Sequence, residues 1–502
     1  MVAFWGLLDH DGDLARCIRS RAASFDHYCG QMQTHYVDRL PSENGILCVR
    51  SGSGHGPLVT VHEHETMLVY STYELPERYA PIAELTLKSL GQVPSALPDT
   101  EGNGAHLALQ VSASGIRSYA TQYFMYPFYV WTLDGSTVFS SERKLLWGLP
   151  ELRCIRLEPS QWLLIDSAGR KQVGSGGHTR PSVSLVSSPS EHVTALSRHL
   201  RKSFEPIRGQ GCAILFSGGV DSSLLALLAN QECESVSLLT TCTEDSLDGT
   251  AAERAAELLG MDFHRILLDL DLAWQMLPEV VFAIESWAMM DVAIALPFVL
   301  ASKYASKRGI VHVVSGQGPD ELFGGYSRHA ETFLKSGPRE LDNQLWCDVS
   351  VTHRVNIERD IKAINWGGCE PFFPYLAPEF VRHSMSIPSE QKIVARDGAT
   401  VERKHVFRAL ARSLGLAESL ASASKHATQY SSGSETTISA AIRRYGLEAR
   451  DMTRRQMHAY QQTVLDSMAT VMGLKSAPRS PARQPHFDTE SMHRFLDRLS
   501  HQ

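Results

Sequence analysis

Seven consecutive residues combine the side chains that a phosphate-binding loop needs: Ser217, Gly218, Gly219, Val220, Asp221, Ser222 and Ser223. They follow an apolar run (212–216) and open a leucine-rich segment typical of a helix. Adjacent glycines let the backbone approach an anion, and free N–H groups at a helix start favour phosphate. Asp221 would repel phosphates unless a magnesium ion lay between them. A Gly-Gly turn before a Ser/Asp helix cap explains the same residues without a ligand.

A second glycine-rich segment, SGQGPDELFGGY (315–326), follows another apolar run, VHVV (311–314). Its glycines, including Gly316 and Gly318, again indicate a close approach of the backbone to a ligand. If both segments end neighbouring parallel strands, Asp320 lies near Asp221. Two carboxylates from two loops can hold magnesium on a triphosphate, so Asp221 and Asp320 are the predicted metal ligands.

The elements around these loops alternate between strand and helix. We expect strands at 212–216, 235–241, 264–270 and 311–314, a helix at 249–260 and a longer helical region at 272–308. This alternation predicts an α/β fold with a parallel sheet. The chain before about residue 180 is instead rich in short strands. A Gly/Ser-rich stretch (174–192) is the predicted linker, and the chain after about 340 is mostly helical.

The first loop resembles the SGGxDSS loop of N-type ATP pyrophosphatases, and the second resembles the SGxGxDExFGGY signature of asparagine synthetases, within the wider asparagine synthetase / β-lactam synthetase family. The resemblance covers about residues 195–450. It implies an Ntn-hydrolase-like αββα sandwich followed by an adenine nucleotide alpha hydrolase-like domain with a helical C-terminal half. The implied domains are 1–180, a degenerate glutaminase-like domain; 190–475, an ATP-dependent synthetase domain; and 476–502, a flexible tail.

The resemblance also assigns roles to residues outside the two loops. KHATQYSSGS (425–434) is similar to the family's lysine-bearing segment, so Lys425 is the main catalytic candidate. Glu370 falls where related enzymes place a glutamate on the amine side of the site, and the backbone near Leu238 would hold adenine. The implied ATP and pyrophosphate ligands are Ser217, Gly218, Gly219, Asp221, Ser222, Ser223, Leu238, Gly316 and Gly318. The implied cofactors are ATP and magnesium.

The N-terminal region departs from the family pattern. The family's glutaminase uses a cysteine that follows the initiator Met, whereas Val2 stands here, and no glutamine-holding Asn-Gly-Glu segment is found. We therefore expect that this domain does not hydrolyse glutamine. Three interpretations remain: an AMP-forming ligase that joins a small-molecule or peptide-like carboxylate to an amine in specialised metabolism, an ammonia-dependent asparagine synthetase, and a non-catalytic nucleotide-binding protein.

Composition excludes several other classes. The 502 residues carry 48 Lys and Arg against 55 Asp and Glu, a net charge of −7 that gives no reason to expect nucleic acid. No apolar run approaches the ~20 residues that span a bilayer. Nine cysteines without a CxxC pair predict a protein of the reducing cytoplasm. The expected partners are therefore a carboxylate and an amine, with no nucleic acid or membrane, and a homodimer is left open.

Overall fold

The computed structural model describes most of the chain after residue 105 and separate segments before it. The described residues are 2–8, 33–39, 46–51, 58–62, 65–73, 80–90, 105–112, 114–133, 136–146, 154–177, 179–183, 188–395, 401–423, 433–446 and 452–472. Two of the sequence-based predictions concern residues outside these ranges. Lys425 and the predicted tail at 476–502 both lie outside the described residues.

The N-terminal region consists of two antiparallel sheets. Their strands run in the orders β10-β8-β9-β1-β3-β2 and β12-β11-β7-β6-β5-β4. One helix, α1 (Ala80–Ser89), packs on the second sheet. The strands are β1 (Val2–Leu8), β2 (Gln33–Arg39), β3 (Ile46–Ser51), β4 (Leu58–His62), β5 (Glu65–Ser71), β6 (His106–Ser112), β7 (Gly115–Ala120), β8 (Tyr129–Leu133), β9 (Ser136–Ser140), β10 (Ile155–Arg156), β11 (Gln161–Asp166) and β12 (Lys171–Ser175).

The second region is built on a parallel sheet in the order β15-β14-β13-β16-β17. All four of its strand pairs are parallel, so the carboxyl ends of the strands meet at one edge. The strands are β13 (Gly211–Leu215), β14 (Ser235–Cys242), β15 (Phe263–Leu267), β16 (His312–Val314) and β17 (Glu370–Phe372). A separate two-stranded sheet joins β18 (Val394–Ala395) and β19 (Val401–Glu402).

Helices surround the parallel sheet and continue beyond it. They are α2 (Pro189–Ser203), α3 (Val220–Glu232), α4 (Leu247–Leu259), α5 (Leu270–Ile284), α6 (Met289–Ser306), α7 (Pro319–Phe323), α8 (Ser327–Ser336), α9 (Pro338–Thr352), α10 (Glu358–Trp366), α11 (Pro378–Ser386), α12 (Ser389–Lys392), α13 (His405–Ser413), α14 (Glu418–Ala421), α15 (Ser434–Tyr445) and α16 (Arg454–Val471). A π-helical turn (His353–Ile357) joins α9 to α10.

The predicted α/β fold with a parallel sheet is confirmed, with four predicted strands close to their expected positions. The expected helical region at 272–308 is two helices. The backbone of Glu285, which follows α5, is left-handed (φ 57°) and therefore interrupts the helix. Strand β17 was not expected, because a three-residue buried segment carries no periodic signal.

The two regions share one hydrophobic core. Residues of the N-terminal sheets and of the parallel sheet belong to the same cluster of buried side chains. At the edge strand β17, the Tyr73 hydroxyl donates a hydrogen bond to the carbonyl of Phe373, 2.9 Å away. The N-terminal region therefore covers the outer side of β17.

Helix α6 is long and apolar enough to cross a membrane by composition alone. About 72% of it is buried inside the fold, where it packs on β14 and α10. Such burial is what the core helix of a globular domain shows.

Three histidines meet where α2 packs against α11. His192 Nδ1 lies 3.2 Å from His383 Nε2, and the rings of His199 and His383 are 5.6 Å apart. Burial, together with the neighbouring histidines, lowers the pKa of His383 to about 4. Burial also lowers the pKa of His192 and His199, although Glu379 opposes this effect at His199.

We expect acid to destabilise the fold through this histidine cluster. Because His383 titrates at a lower pH when folded, the unfolded chain binds more protons between about pH 4 and 6.5. Lowering the pH from 7 to 5 should therefore lower the unfolding free energy through His383 by at most about 2 kcal/mol, because partial exposure to solvent screens the effect. Urea unfolding at the two pH values measures this. His383→Gln should flatten the dependence, and an unchanged pH dependence in that variant would contradict the assignment.

Candidate functional site

The first glycine loop lies at the carboxyl end of β13 and leads into α3, as predicted. Ser222 organises it. The Ser222 hydroxyl accepts a hydrogen bond from the Ser217 amide at 3.2 Å and lies 3.3 Å from the carbonyl of Gly219. Gly219 is the residue before the first turn of α3. The unpaired N–H groups of that turn therefore face the carboxyl edge of the sheet, where a phosphate can bind.

Glycine is required at position 218. Its backbone is left-handed (φ 72°), and a Cβ atom there would lie 2.9 Å from the Cα of Ala252 in α4. The loop is thus pressed between α3 and α4. Any larger residue would displace it from the helix start.

The second loop stands directly beside the first. A Cβ on Gly316 would lie 3.5 Å from the Cβ of Asp221 and 3.6 Å from the amide of Ser222. Gly318 then begins α7, whose first turn carries Asp320. The sequence-based expectation that the two loops meet is met in the structure, which brings Asp221 and Asp320 to one place.

A lysine that was not predicted joins these two carboxylates. The Lys404 Nζ atom lies 2.7 Å from Asp221 Oδ2 and 2.8 Å from Asp320 Oδ1. Lys404 is buried, with 2% of its surface exposed. A Cβ on Gly325 would lie 1.8 Å from Asp320 Oδ1 and 2.4 Å from Lys404 Cε, so only glycine leaves room for this ion cluster.

Two opposing effects act on the pKa of Lys404. Burial lowers the pKa of Lys404, and the Asp221 carboxylate opposes that effect. Its backbone is left-handed (φ 57°) at the start of α13, which is uncommon for a residue with a side chain. Such conformations persist where the surrounding structure imposes them, and functional sites often contain them.

One further side chain contacts the cluster, and another holds a neighbouring segment of chain. The Tyr375 hydroxyl donates to the backbone carbonyl of Asp221 at 2.8 Å. Arg408, one turn along α13 from Lys404, donates to the carbonyls of Ala421 and Ala423 at 2.5 and 3.1 Å. Neither residue was predicted, since Tyr375 reaches the Asp221 carbonyl across 154 positions and Arg408 bonds to the backbone of a neighbouring segment.

Lys425 belongs to the undescribed segment 424–432, but the residues on either side are placed. Ala423 is held by Arg408. Gly433 lies against Thr243, just past the carboxyl end of β14. Both ends of the segment are therefore at the same edge of the sheet as the glycine loops.

Glu370 lies apart from the ion cluster. It is the first residue of β17 and pairs in register with His312, at the amino end of these strands. Its carboxylate is 3.8 Å from His312 Nδ1, and His312 is held by Gln210 at 2.8 Å. Its charge also raises the pKa of Tyr126 of the N-terminal region, although burial of that phenol is the larger cause. The structure thus places Glu370 against the N-terminal region.

Leu238 lies buried in the middle of β14, next to β13. Its amide donates to the carbonyl of Asp262 at 2.9 Å. That N–H group is therefore used within the sheet, and the predicted contact to adenine would have to come from another group of this strand.

The carboxylates of Asp221 and Asp320 are suited to hold a magnesium ion that is bound to a nucleotide. Among the residues that the structure describes, no group of three His, Cys, Asp or Glu side chains could hold a metal alone. Two carboxylates that already converge on one cationic group fit magnesium, which commonly takes one or two protein carboxylates plus phosphate oxygens and water.

Structural comparison finds distant similarity at most. The chain resembles an NH3-dependent NAD synthetase from Campylobacter jejuni over 59% of its length and 100% of that chain, with 15% identity and a TM-score of 0.26. It resembles a glutamine phosphoribosylpyrophosphate amidotransferase from B. subtilis over 53% of its length and 90% of that chain, with 10% identity and a TM-score of 0.26. TM-scores this low carry no inference about fold.

Sequence comparison is more specific. Residues 207–340 match the family model described as asparagine synthase. A putative glutamine-hydrolyzing asparagine synthetase of Methanocaldococcus jannaschii is 29% identical over 72% of this chain and 76% of its own length. A glutamine-hydrolyzing asparagine synthetase of Oryza sativa is 28% identical over 55% of this chain, which spans about half (48%) of that relative. The chain is therefore similar in sequence to the asparagine synthetases, which are ATP-dependent carbon–nitrogen ligases.

Proposed function

We propose that this protein activates a substrate carboxylate with ATP and transfers the acyl group to an amine, releasing AMP and pyrophosphate. The amine is carried by the substrate or by a small molecule, and the pathway is one of specialised metabolism in the cytoplasm. The N-terminal region is proposed to be a degenerate glutaminase-like domain of the Ntn type. These assignments go beyond the sequence similarity and need the experiments below.

The observation that carries this proposal is the Asp221–Lys404–Asp320 cluster at the carboxyl edge of the parallel sheet. Two carboxylates and one ammonium group leave one net negative charge beside a helix start that favours phosphate. A simple anion cradle would not contain two carboxylates. A site for a nucleotide together with a divalent cation explains both features.

In the first step, the substrate carboxylate attacks the α-phosphorus and pyrophosphate leaves. The N–H groups at the start of α3 and the hydroxyls of Ser217 and Ser222 would bind the phosphates. The Lys404 ammonium, which contacts the two carboxylates, would also stabilise the negative charge of the leaving pyrophosphate. Magnesium held by Asp221 and Asp320 would supply additional neutralisation of the phosphate charge.

In the second step, the amine attacks the acyl-adenylate carbonyl and AMP leaves. Lys425 would stabilise the developing oxyanion, because both described neighbours of its segment lie at the site edge. Glu370 is proposed to position or deprotonate the amine, which requires the amine to lie on the N-terminal side of β17, apart from the ion cluster. Holding the amine and the acyl-adenylate together supplies much of the rate by proximity.

A second candidate is an ammonia-dependent asparagine synthetase, because the relatives are named asparagine synthetases, although as glutamine-hydrolyzing enzymes. A pyrophosphate-release screen separates the two. Candidate carboxylates, aspartate among them, are tested with no added nitrogen source, with ammonium and with glutamine. We expect release with an amine-bearing carboxylate in the absence of both nitrogen sources.

Each other outcome selects a different interpretation. Release with aspartate and ammonium, but not with glutamine, would select the ammonia-dependent synthetase. Release that requires glutamine would show that the N-terminal region hydrolyses it. No release with any carboxylate, although ATP binds, would select a non-catalytic nucleotide-binding protein.

Removing the Lys404 charge should damage both stability and chemistry. Lys404→Met leaves two buried carboxylates without their cation, which typically costs about 3–5 kcal/mol. We also expect pyrophosphate release to fall at least ~100-fold. Urea unfolding and single-turnover release measure these effects. Lys335→Met, at an exposed lysine of α8, is the control. Wild-type release by folded Lys404→Met would contradict the assignment.

Lys425 should act on the chemical steps and not on nucleotide binding. We expect Lys425→Ala to bind ATP within about twofold of the wild-type affinity while amide formation falls at least ~100-fold. Calorimetry and product analysis measure the two quantities. Lys88→Ala, at an exposed lysine of α1, controls for loss of charge. Normal turnover by Lys425→Ala would remove the residue from the mechanism.

A further inference from the structure

The second glycine loop is held by helix α10. The Gln317 side-chain amide donates to Asp360 Oδ2 at 2.7 Å, and Arg359 Nε donates to Asp360 Oδ1 at 2.8 Å. Asp360 is fully buried and Arg359 is 7% exposed. Because Gln317 follows Gly316, which touches Asp221, the position of α10 determines how the second loop meets the first.

Helix α10 is in turn held by the N-terminal sheets. The Tyr129 hydroxyl, on β8, donates to Glu358 at the start of α10. Arg156, on β10, donates to the other oxygen of Glu358 at 3.0 Å. These bonds join residues more than two hundred positions apart. Both N-terminal side chains therefore grip the same carboxylate in the first turn of α10.

Lys362 adds hydrogen bonds of defined direction to the contact between α10 and the N-terminal sheets. Its ammonium group contacts the Tyr129 hydroxyl at 3.2 Å, Glu358 at 2.5 Å and Glu285. An ammonium has three donors, and three acceptors from three separate segments take them. Burial alone would lower the pKa of Lys362, but Glu285 and Glu358 raise it well above its usual value, so it stays charged.

A second connection passes through Glu285. The Lys144 amide donates to Glu285 Oε1 at 2.7 Å, and Lys144 Nζ donates to the carbonyl of Ala283 at 3.0 Å. Glu285 also contacts Lys362. The N-terminal region therefore fixes α10 from two sides, once at Glu358 and once through Lys362.

We propose that Tyr129 and Arg156 are positioning residues for the nucleotide site. They fix α10 through Glu358 and Lys362, and α10 fixes the second glycine loop through Asp360 and Gln317. The inference rests on the proposed function, because it takes the two loops to be an ATP site. It gives the N-terminal region a role in synthesis that is independent of glutamine hydrolysis.

Tyr129→Phe tests this, because it removes one hydroxyl and leaves the ring in place. Tyr119→Phe is the matched control, since the Tyr119 hydroxyl is buried and its bonds to described residues stay within the N-terminal region, to His106 at 2.9 Å and to Thr86. The readouts are amide hydrogen exchange at 315–323 and at 217–223, and calorimetric affinity for magnesium with α,β-methylene ATP.

We expect Tyr129→Phe to speed exchange at 315–323 more than at 217–223. It should weaken analogue binding about tenfold, the effect of losing one hydrogen bond to a charged group. Tyr119→Phe should leave both readouts at wild-type values even if it lowers the melting temperature. Tyr129→Phe combined with Gln317→Leu should weaken binding less than the sum of the single effects, since both cut one connection.

Wild-type exchange at 315–323 in Tyr129→Phe, with only its melting temperature reduced, would overturn the proposal. The network would then serve only to hold the two regions together. Equal effects of Tyr129→Phe and Tyr119→Phe would overturn it as well. If the wild-type protein does not bind the analogue, the ATP-site assignment fails. The exchange comparison would then still decide whether Tyr129 positions the loop.

Discussion

The ammonium group of Lys404 holds two carboxylates that would otherwise repel each other. Asp221 and Asp320 belong to loops that end different strands, so this buried cation helps to set the distance between the loops. The attraction between the ammonium and the carboxylates is strong at such separations when water is largely excluded. Gly325 leaves the space in which the lysine meets Asp320. The two loops are therefore already set for the proposed nucleotide, and less rearrangement would be left for the reaction itself.

The same principle recurs at the contact between the two regions. Buried ion pairs are weak evidence for stability, because desolvation offsets much of their attraction. Their geometry is more demanding than that of apolar packing, since each donor must meet an acceptor. Around Lys362 the acceptors come from β8, from α10 and from the break between α5 and α6. Such an arrangement specifies one relative placement of these elements, which a purely apolar interface would specify less sharply.

The local parts of the site could be predicted from sequence, whereas the distant parts could not. The loop of Ser217–Ser223 can be recognised from sequence, because two glycines, hydroxyls and a strand-to-helix transition lie within a few residues. Lys404 has no such signal: a lone lysine in a helical stretch is ordinarily a surface residue. Its role arises from a contact with Asp221 across 183 positions. The helix break at Glu285 was missed for a related reason, since a glutamate in a left-handed conformation is stabilised by Lys144 and Lys362 and not by its neighbours in sequence.

The surroundings of Glu370 bear on how an amine could be handled. Burial raises the pKa of Tyr70 and of Tyr126 strongly, and the charge of Glu370 raises both further. The two phenols therefore stay protonated, and His312 lies beside the Glu370 carboxylate. The tyrosines come from the N-terminal region, so that region influences the proposed amine side at β17 as well as the phosphate side through α10.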